Sequence, residues 1–336
     1  MALAHAFRQK LIALLKSKSL LVKYSLRLLL PIALLLALPV HAYTGITIVM
    51  SHASTANEEF VQQFKEALSS DQSHTMQVNV INLTEVDRLT VAENSELVIA
   101  LGVRALQASS KLKHSTPVLG VFVPLPTFNQ LMYKSGRRLG IFSAIVLDQP
   151  FKRQIGLAKI AMPAAKNMAI LLGTASNRYE DFLREAAEQN GFNVDIRELE
   201  SSADLIPTLE SIFNTNDVLL AIPDPIVYNR ETAQPILLTS YRHQVPVIGY
   251  SKSYVKAGAL ASVFSNAKQL ATQAAEIAIN SQKHTSRLPP PVVPKYFSVI
   301  INRQVQRSLN LKLADENDIY QQLLALEASE PMEAAQ

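Results

Sequence analysis

Seven positions stand where strand-like runs give way to loops: Ser51, Gly102, Thr174, Ser176, Asp224, Ser251 and Tyr254. Hydroxyls, a carboxylate, a phenol and a glycine so placed suit the reversible capture of a small solute. In an open α/β sheet, backbone donors and helix N-termini converge beyond the carboxyl ends of the strands. Asp224 is held between Pro223 and Pro225; a stiffened carboxylate there can receive an ammonium or a hydroxyl, and a turn-forming Asp explains the same residue. Thr174 and Ser176, beside Asn177, offer two hydroxyls and an amide at a helix start, for a carboxylate or phosphate, or simply as an N-cap. Gly102 opens a helix-like segment, so its N–H can face an anion, or the glycine serves only a tight turn. Ser251, Ser253 and Tyr254 lie in the stretch 246–262, which reads as strand, loop and strand. Tyr228, Tyr250 and Tyr254 can stack on a ligand ring or pack structurally.

Little in the sequence supports catalysis. It contains no Gly-x-Ser-x-Gly elbow, no Gly-x-x-x-x-Gly-Lys phosphate loop and no His-Glu-x-x-His. Asp148 and Asp224 lack a His or Ser partner at motif spacing, so no catalytic residue is expected. The chain has no cysteine, which excludes disulfides, thiol catalysis and thiolate metal sites. His52 stands alone, and no histidine pair has the spacing of ligands on one helix face. No metal and no cofactor is therefore expected.

The formal charge of +4 over 336 residues invites a nucleic-acid reading, but the bases are unevenly placed. Six of the 32 Lys and Arg precede residue 43 and no acid does, leaving 26 bases against 28 acids beyond it. A mildly acidic body lacks the clustered cations that phosphate tracking needs, so no nucleic-acid partner is expected. The first 42 residues have a basic segment ending at Arg27, an apolar run over 28–38, and Val40-His41-Ala42. That is the layout of a secretory signal peptide cleaved after Ala42. Retention of the leader as an anchor is the alternative. Either outcome puts the body outside the cytoplasm, in the periplasm, and without a cysteine it is not a lipoprotein.

The body alternates short apolar runs with helix-length segments. Strands are expected over 46–50, 76–80, 97–101 and 118–123, then 168–172, 194–197, 218–222 and 245–250, with a last one at 297–301. A capping pattern at Thr55-Ala56-Asn57-Glu58 precedes a helix with Phe60, Phe64 and Leu68 on one face. This rhythm predicts parallel βαβ units covered on both faces, arranged as two copies of one architecture. Residues 266–280 read as an alanine-rich amphipathic helix, and the chain after Met332 as a polar tail that frays.

The chain resembles the ABC-transporter substrate-binding family with the type I periplasmic-binding-protein fold, in its tryptophan/tyrosine-type branch. The residues that carry the likeness are Pro163-Ala164-Ala165-Lys166-Asn167-Met168-Ala169-Ile170-Leu171-Leu172-Gly173, Asp217-Val218-Leu219-Leu220-Ala221-Ile222-Pro223-Asp224-Pro225, Pro246-Val247-Ile248-Gly249-Tyr250-Ser251 with Val255-Lys256-Ala257-Gly258-Ala259-Leu260-Ala261-Ser262, and Phe297-Ser298-Val299-Ile300-Ile301-Asn302. It implies two Rossmann-like lobes with parallel sheets flanked by helices, joined by three crossovers around a ligand cleft. Lobe one is expected over 43–143 plus the helix 264–285, lobe two over 144–263 plus 286–315, and a C-terminal helix and tail over 316–336. The resemblance implies a monomer that captures an amino-acid-like polar or aromatic solute and presents it to an inner-membrane ABC permease. The alternative is a sensory or scaffolding module acting on a membrane receptor or kinase. Relatives usually carry Asp-Pro and a glycine after the fourth strand of lobe one; this chain has Val123-Pro124-Leu125-Pro126-Thr127.

Overall fold

The computed structural model describes residues 45–69, 76–83, 92–284 and 287–329. The expected signal peptide and the tail after Met332 lie outside the described residues. Two sheets organise them. In the first, β1 (Ile46–Met50), β2 (Val78–Asn82), β3 (Leu97–Leu101), β4 (Val118–Val123) and β5 (Phe142–Val146) run parallel in the order β2-β1-β3-β4-β5. The second holds β6 (Asn167–Gly173), β7 (Asn193–Leu199), β8 (Val218–Leu220), β9 (Val247–Gly249), β10 (Ala261–Phe264) and β11 (Ser298–Ile301), in the order β11-β10-β9-β8-β6-β7. Only β11 pairs antiparallel, against β10. Every residue of β1, β3 and β5 is buried, as continuous apolar runs in a parallel sheet covered on both faces must be. β2 begins two residues later than its apolar pattern suggests.

Helices cover both faces of each sheet. On the first lie α1 (Thr55–Ser69), α2 (Val103–Ser109) and α3 (Leu125–Ser135). On the second lie α4 (Phe151–Ala161), α5 (Glu180–Gln189), α6 (Leu205–Ile212), α7 (Ala233–Arg242) and α8 (Lys252–Ala257). The cap of α1 is Ser54, whose Oγ accepts from the Asn57 N–H at 3.3 Å, one residue ahead of the Thr55 expected. Within 246–262 the structure corrects strand, loop and strand to strand, helix and strand, because α8 fits between Ser251 and Gly258.

After β10 the chain returns to the first sheet as α9 (Ala267–His284). Leu270, Ala271, Ala274, Ala275 and Ala278 share a core with Ile46, Ile48, Phe60 and Phe64. The alanines let α9 approach closely, which is why this segment is alanine-rich. The chain then runs along β5, with Val292 donating to the Ala144 carbonyl and accepting from the Val146 N–H. It rejoins the second sheet as β11 and ends in α10 (Arg303–Ser308) and α11 (Glu316–Ser329). Gly45–Gln336 is a compact unit, and all the apolar cores described lie within it, so this unit carries its own core. Among the described residues no helix is long and apolar enough to cross a membrane.

Candidate functional site

The chain passes between the sheets three times, through residues 147–150, 265–266 and a last stretch described over 287–297. Two of these leave directly from the carboxyl ends of β5 and β10, so the carboxyl edges of both sheets lie where the lobes are joined. The rim loops named above sit on those edges.

On the second sheet the rim is bound to itself. Asp224, 3% exposed, accepts from the Ser176 hydroxyl at 2.9 Å through Oδ2 and from the Ile226 and Val227 N–H groups at 2.8 and 3.1 Å through Oδ1. Ser176 is buried in turn, and its Oγ accepts from the Gly173 N–H at 3.1 Å. A Cβ on Gly173 would stand 2.3 Å from Asp224 Oδ1, so glycine is needed there for the carboxylate to lie against the end of β6. A buried carboxylate needs such donors, and these come from within the lobe. Ser251 caps α8, accepting from the Tyr254 N–H at 3.2 Å. Thr174 alone of this set is exposed, at the tip of the turn.

The three tyrosines gather beside this rim. Tyr250 and Tyr254 stack at 5.1 Å, and Tyr228 meets both edge-on at 6.0 and 6.1 Å. Tyr228 and Tyr254 are buried, and among the described residues their hydroxyls have no hydrogen-bond partner. Burial raises the pKa of both phenols; the neighbouring tyrosines add to the shift at Tyr228 and Tyr250 adds to it at Tyr254. Tyr250 is half-buried and is the member that reaches the surface.

The rim of the first sheet is more open. Ser51 is half-buried, with its Oγ 3.1 Å from His52 Nδ1, and His52 is exposed. Gly102 adjoins it: a Cβ there would lie 3.9 Å from Ser51 Oγ. The structure corrects the anion-binding reading of the Gly102 N–H, which donates to the Val121 carbonyl at 2.8 Å. Gly102 still belongs to the β3–β4 ladder, and its φ of 89° turns the chain into α2. Phe122 adopts φ 59°, at a register shift in β4, and meets Phe60 edge-on at 5.7 Å. Asp148 accepts from the Leu125 N–H at 2.7 Å, placing a carboxylate at the N-terminus of α3, where the helix dipole favours it. Burial raises the Asp148 pKa, opposed by the Leu125 and Asp148 backbone N–H groups and by the Arg178 charge.

The sequence matches the family model for ABC transporter substrate binding proteins over residues 45–320. The chain belongs to that family. No curated protein matches it. Among solved structures, it is similar to a ligand-free, open substrate-binding protein with adhesive properties from Clostridium difficile. That match has 20% identity and a TM-score of 0.63, over 81% of this chain and 96% of the other. An ABC domain in complex with L-Trp from Streptococcus pneumonia matches at 15% identity and TM-score 0.53, over 83% and 98%. A conserved domain protein from Vibrio cholerae matches at 18% identity and TM-score 0.52, over 83% and 98%. At these identities the likeness establishes the fold: two α/β lobes around a ligand cleft.

Sequence reasoning missed the residue at the junction of this substrate-binding protein's lobes. Arg153, on α4, has a fully buried side chain with its guanidinium 4.0 Å over the Phe297 ring. It donates to Gln149 Oε1 at 2.7 Å, to the Pro294 carbonyl at 3.0 Å, and to both carboxylate oxygens of Glu327 on α11. Gln149 donates to Ser265 Oγ at 2.9 Å, and Ser265 donates to the Tyr296 carbonyl at 2.6 Å. All three crossovers are thus tied to one buried cation. The signal was faint: Gln149 and Arg153 are spaced i, i+4 across Pro150, and the other partners lie more than a hundred residues away. Phe122 was beyond reach, because a positive φ at a phenylalanine leaves no mark on local pattern.

Proposed function

We propose that this protein captures a small polar or aromatic, amino-acid-like solute between its lobes and presents it to an ABC-type importer in the inner membrane. The observation that carries this reading is the pairing of two largely parallel sheets whose carboxyl rims lie at one junction, with three crossovers tied to Arg153 directly or through Gln149. Two rigid lobes on a narrow tied junction suit closure around a ligand that touches both, with the ligand stabilising the closed state. The L-Trp bound to the Streptococcus pneumonia domain and the half-buried Tyr250 favour an aromatic or amino-acid ligand. In this reading the protein is a monomeric binder rather than an enzyme and works in the periplasm after cleavage following Ala42. Its lobe one comprises residues 43–143 and 264–285. The ligand meets Ser51, Gly102 and Thr174 directly, while Ser176, Asp224, Ser251 and Tyr254 shape the second wall.

A second reading, a sensory or scaffolding module of the same fold, is favoured by one specific observation. Asp224, Ser176 and Ser251 spend their hydrogen-bonding capacity inside lobe two, so that wall offers a ligand few free groups.

Thermal unfolding against amino acids, nucleosides, purines and short peptides separates the two, after refolding to remove carried-over ligand. A ligand at about 100 times its dissociation constant adds about 2.7 kcal/mol, which raises the midpoint by several degrees. Such a shift supports capture of a solute. A cooperative transition unmoved by the whole panel overturns it in favour of the module.

A further inference from the structure

We propose, resting on the solute-capture reading, that Glu327 is a positioning residue for lobe closure: through Arg153 it holds the three crossovers as one hinge. The helix that carries it, α11, is set by its own residues. Asp315 Oδ1 accepts from the Asp318 N–H at 2.8 Å and starts the helix. Ile319, Leu323 and Glu327 then follow at intervals of four, so they share one helix face. The first two are buried in the lobe-two core with Ile155 and Phe297. A Cβ on Gly156 would stand 3.2 Å from Leu323 Cδ2, so the glycine lets α11 lie close on α4. The stripe that begins as core therefore ends in a carboxylate.

An acid on a core-facing stripe is costly unless a cation meets it. Glu327 accepts from Arg153 with both carboxylate oxygens; its side chain is 19% exposed and that of Arg153 fully buried. The same guanidinium donates to Gln149 in the first crossover and to the Pro294 carbonyl in the third, and Gln149 reaches Ser265 in the second. It also lies 4.0 Å over the Phe297 ring, which meets Tyr320 of α11 at 5.0 Å. A pair that served only to fasten α11 would end on α4. This one continues into the segments whose backbone must turn when the lobes move.

Crossovers held by one cation bend together, about one axis, and the counter-charge keeps that cation in place. Without the carboxylate the buried guanidinium turns toward water and the crossovers flex independently. A protein that samples many lobe orientations occupies the binding-competent one less often, which weakens its apparent affinity in proportion.

The chain has no cysteine, so Arg104→Cys on α2 and Ser202→Cys just after β7, both at exposed positions, accept paired spin labels in the full chain. Pulsed dipolar spectroscopy then reads their separation without solute. One narrow distribution is expected in the labelled parent, and Glu327→Gln should lose it to a broad one. With L-tryptophan as the probe, the dissociation constant should rise about fivefold in Glu327→Gln. Glu316→Gln, which removes the pair with Arg303 at the other end of α11, should keep the narrow distribution. Arg153→Met with Glu327→Leu replaces the ion pair by apolar groups and should melt close to the parent. Its distribution should stay broad, because methionine cannot hold Gln149 or Pro294, whereas a merely structural pair would be rescued in width as in melt. A broad distribution in the parent, an unchanged width in Glu327→Gln, or a narrow one in the double variant overturns the proposal. Widths are read without solute, so a parent that ignores L-tryptophan counts against the solute reading alone.

Discussion

The two rims that face the junction are built on opposite plans. In lobe two the polar side chains answer one another: Ser176 donates to Asp224, Asp224 takes two further N–H groups, and Ser251 closes its own helix. In lobe one the Ser51 hydroxyl and the His52 ring meet at the surface, and Asp148 reaches across to the start of α3. One rim is a finished wall and the other keeps exposed polar groups. Similar residue types at similar topological positions thus do different work, and the difference lies in what surrounds each carboxylate.

The largest expected effect tests whether the lobe-two wall is structural. Asp224→Ala leaves the Ser176 hydroxyl and two backbone N–H groups without an acceptor and should cost about 4 kcal/mol in denaturant unfolding. Asp224→Asn keeps an acceptor for the N–H groups and should cost about 1 kcal/mol. If Asp224 instead receives a ligand ammonium, Asp224→Asn will abolish ligand-induced stabilisation in a protein that remains well folded, and the comparison breaks.

Next comes Gly173→Ala, which drives a methyl group against the Asp224 carboxylate and should cost about 3 kcal/mol. A smaller cost would mean that the loop over residues 223–229 shifts readily and that the wall is not rigid. At the lobe-one rim, the raised Asp148 pKa means that the folded protein holds this proton above the pH at which the unfolded chain releases it. Wild-type stability relative to Asp148→Asn should therefore fall as pH rises from the ordinary carboxylate value of 3.8 through the folded pKa, and then level off. Unfolding of both proteins at stepped pH reads this difference, and an opposite slope would show that the Leu125 hydrogen bond and Arg178 outweigh burial. The smallest stability effect belongs to Ser51→Ala and Thr174→Ala, each within about 0.5 kcal/mol. Their ligand-induced melting shift should shrink, which sharpens the contrast between the open and finished rims.

Much of the fold was legible in the chain. The buried strands at residues 46–50, 97–101 and 118–123 appear where continuous apolar runs stand, because a parallel strand covered on both faces has no polar side to disguise it. α8 was missed because six residues are too few to show helical periodicity. Of the site, the rim positions were found as loops, but their state was not. Whether Gly102 offers its N–H, or Asp224 its carboxylate, depends on Val121, Ser176, Ile226 and Val227. A lone residue in a sequence does not declare such partners.

The sequence by itself determined the two alternating α/β halves, the basic and apolar composition of the first 42 residues and the absence of thiol chemistry. These follow from periodicity, charge order and composition, which are properties of neighbours along the chain. Only the tertiary structure decided that Arg153, directly and through Gln149, ties the three crossovers together, and that one rim is satisfied and the other open. Those facts join residues tens to hundreds of positions apart, and hydrogen bonds and burial are set by proximity in space.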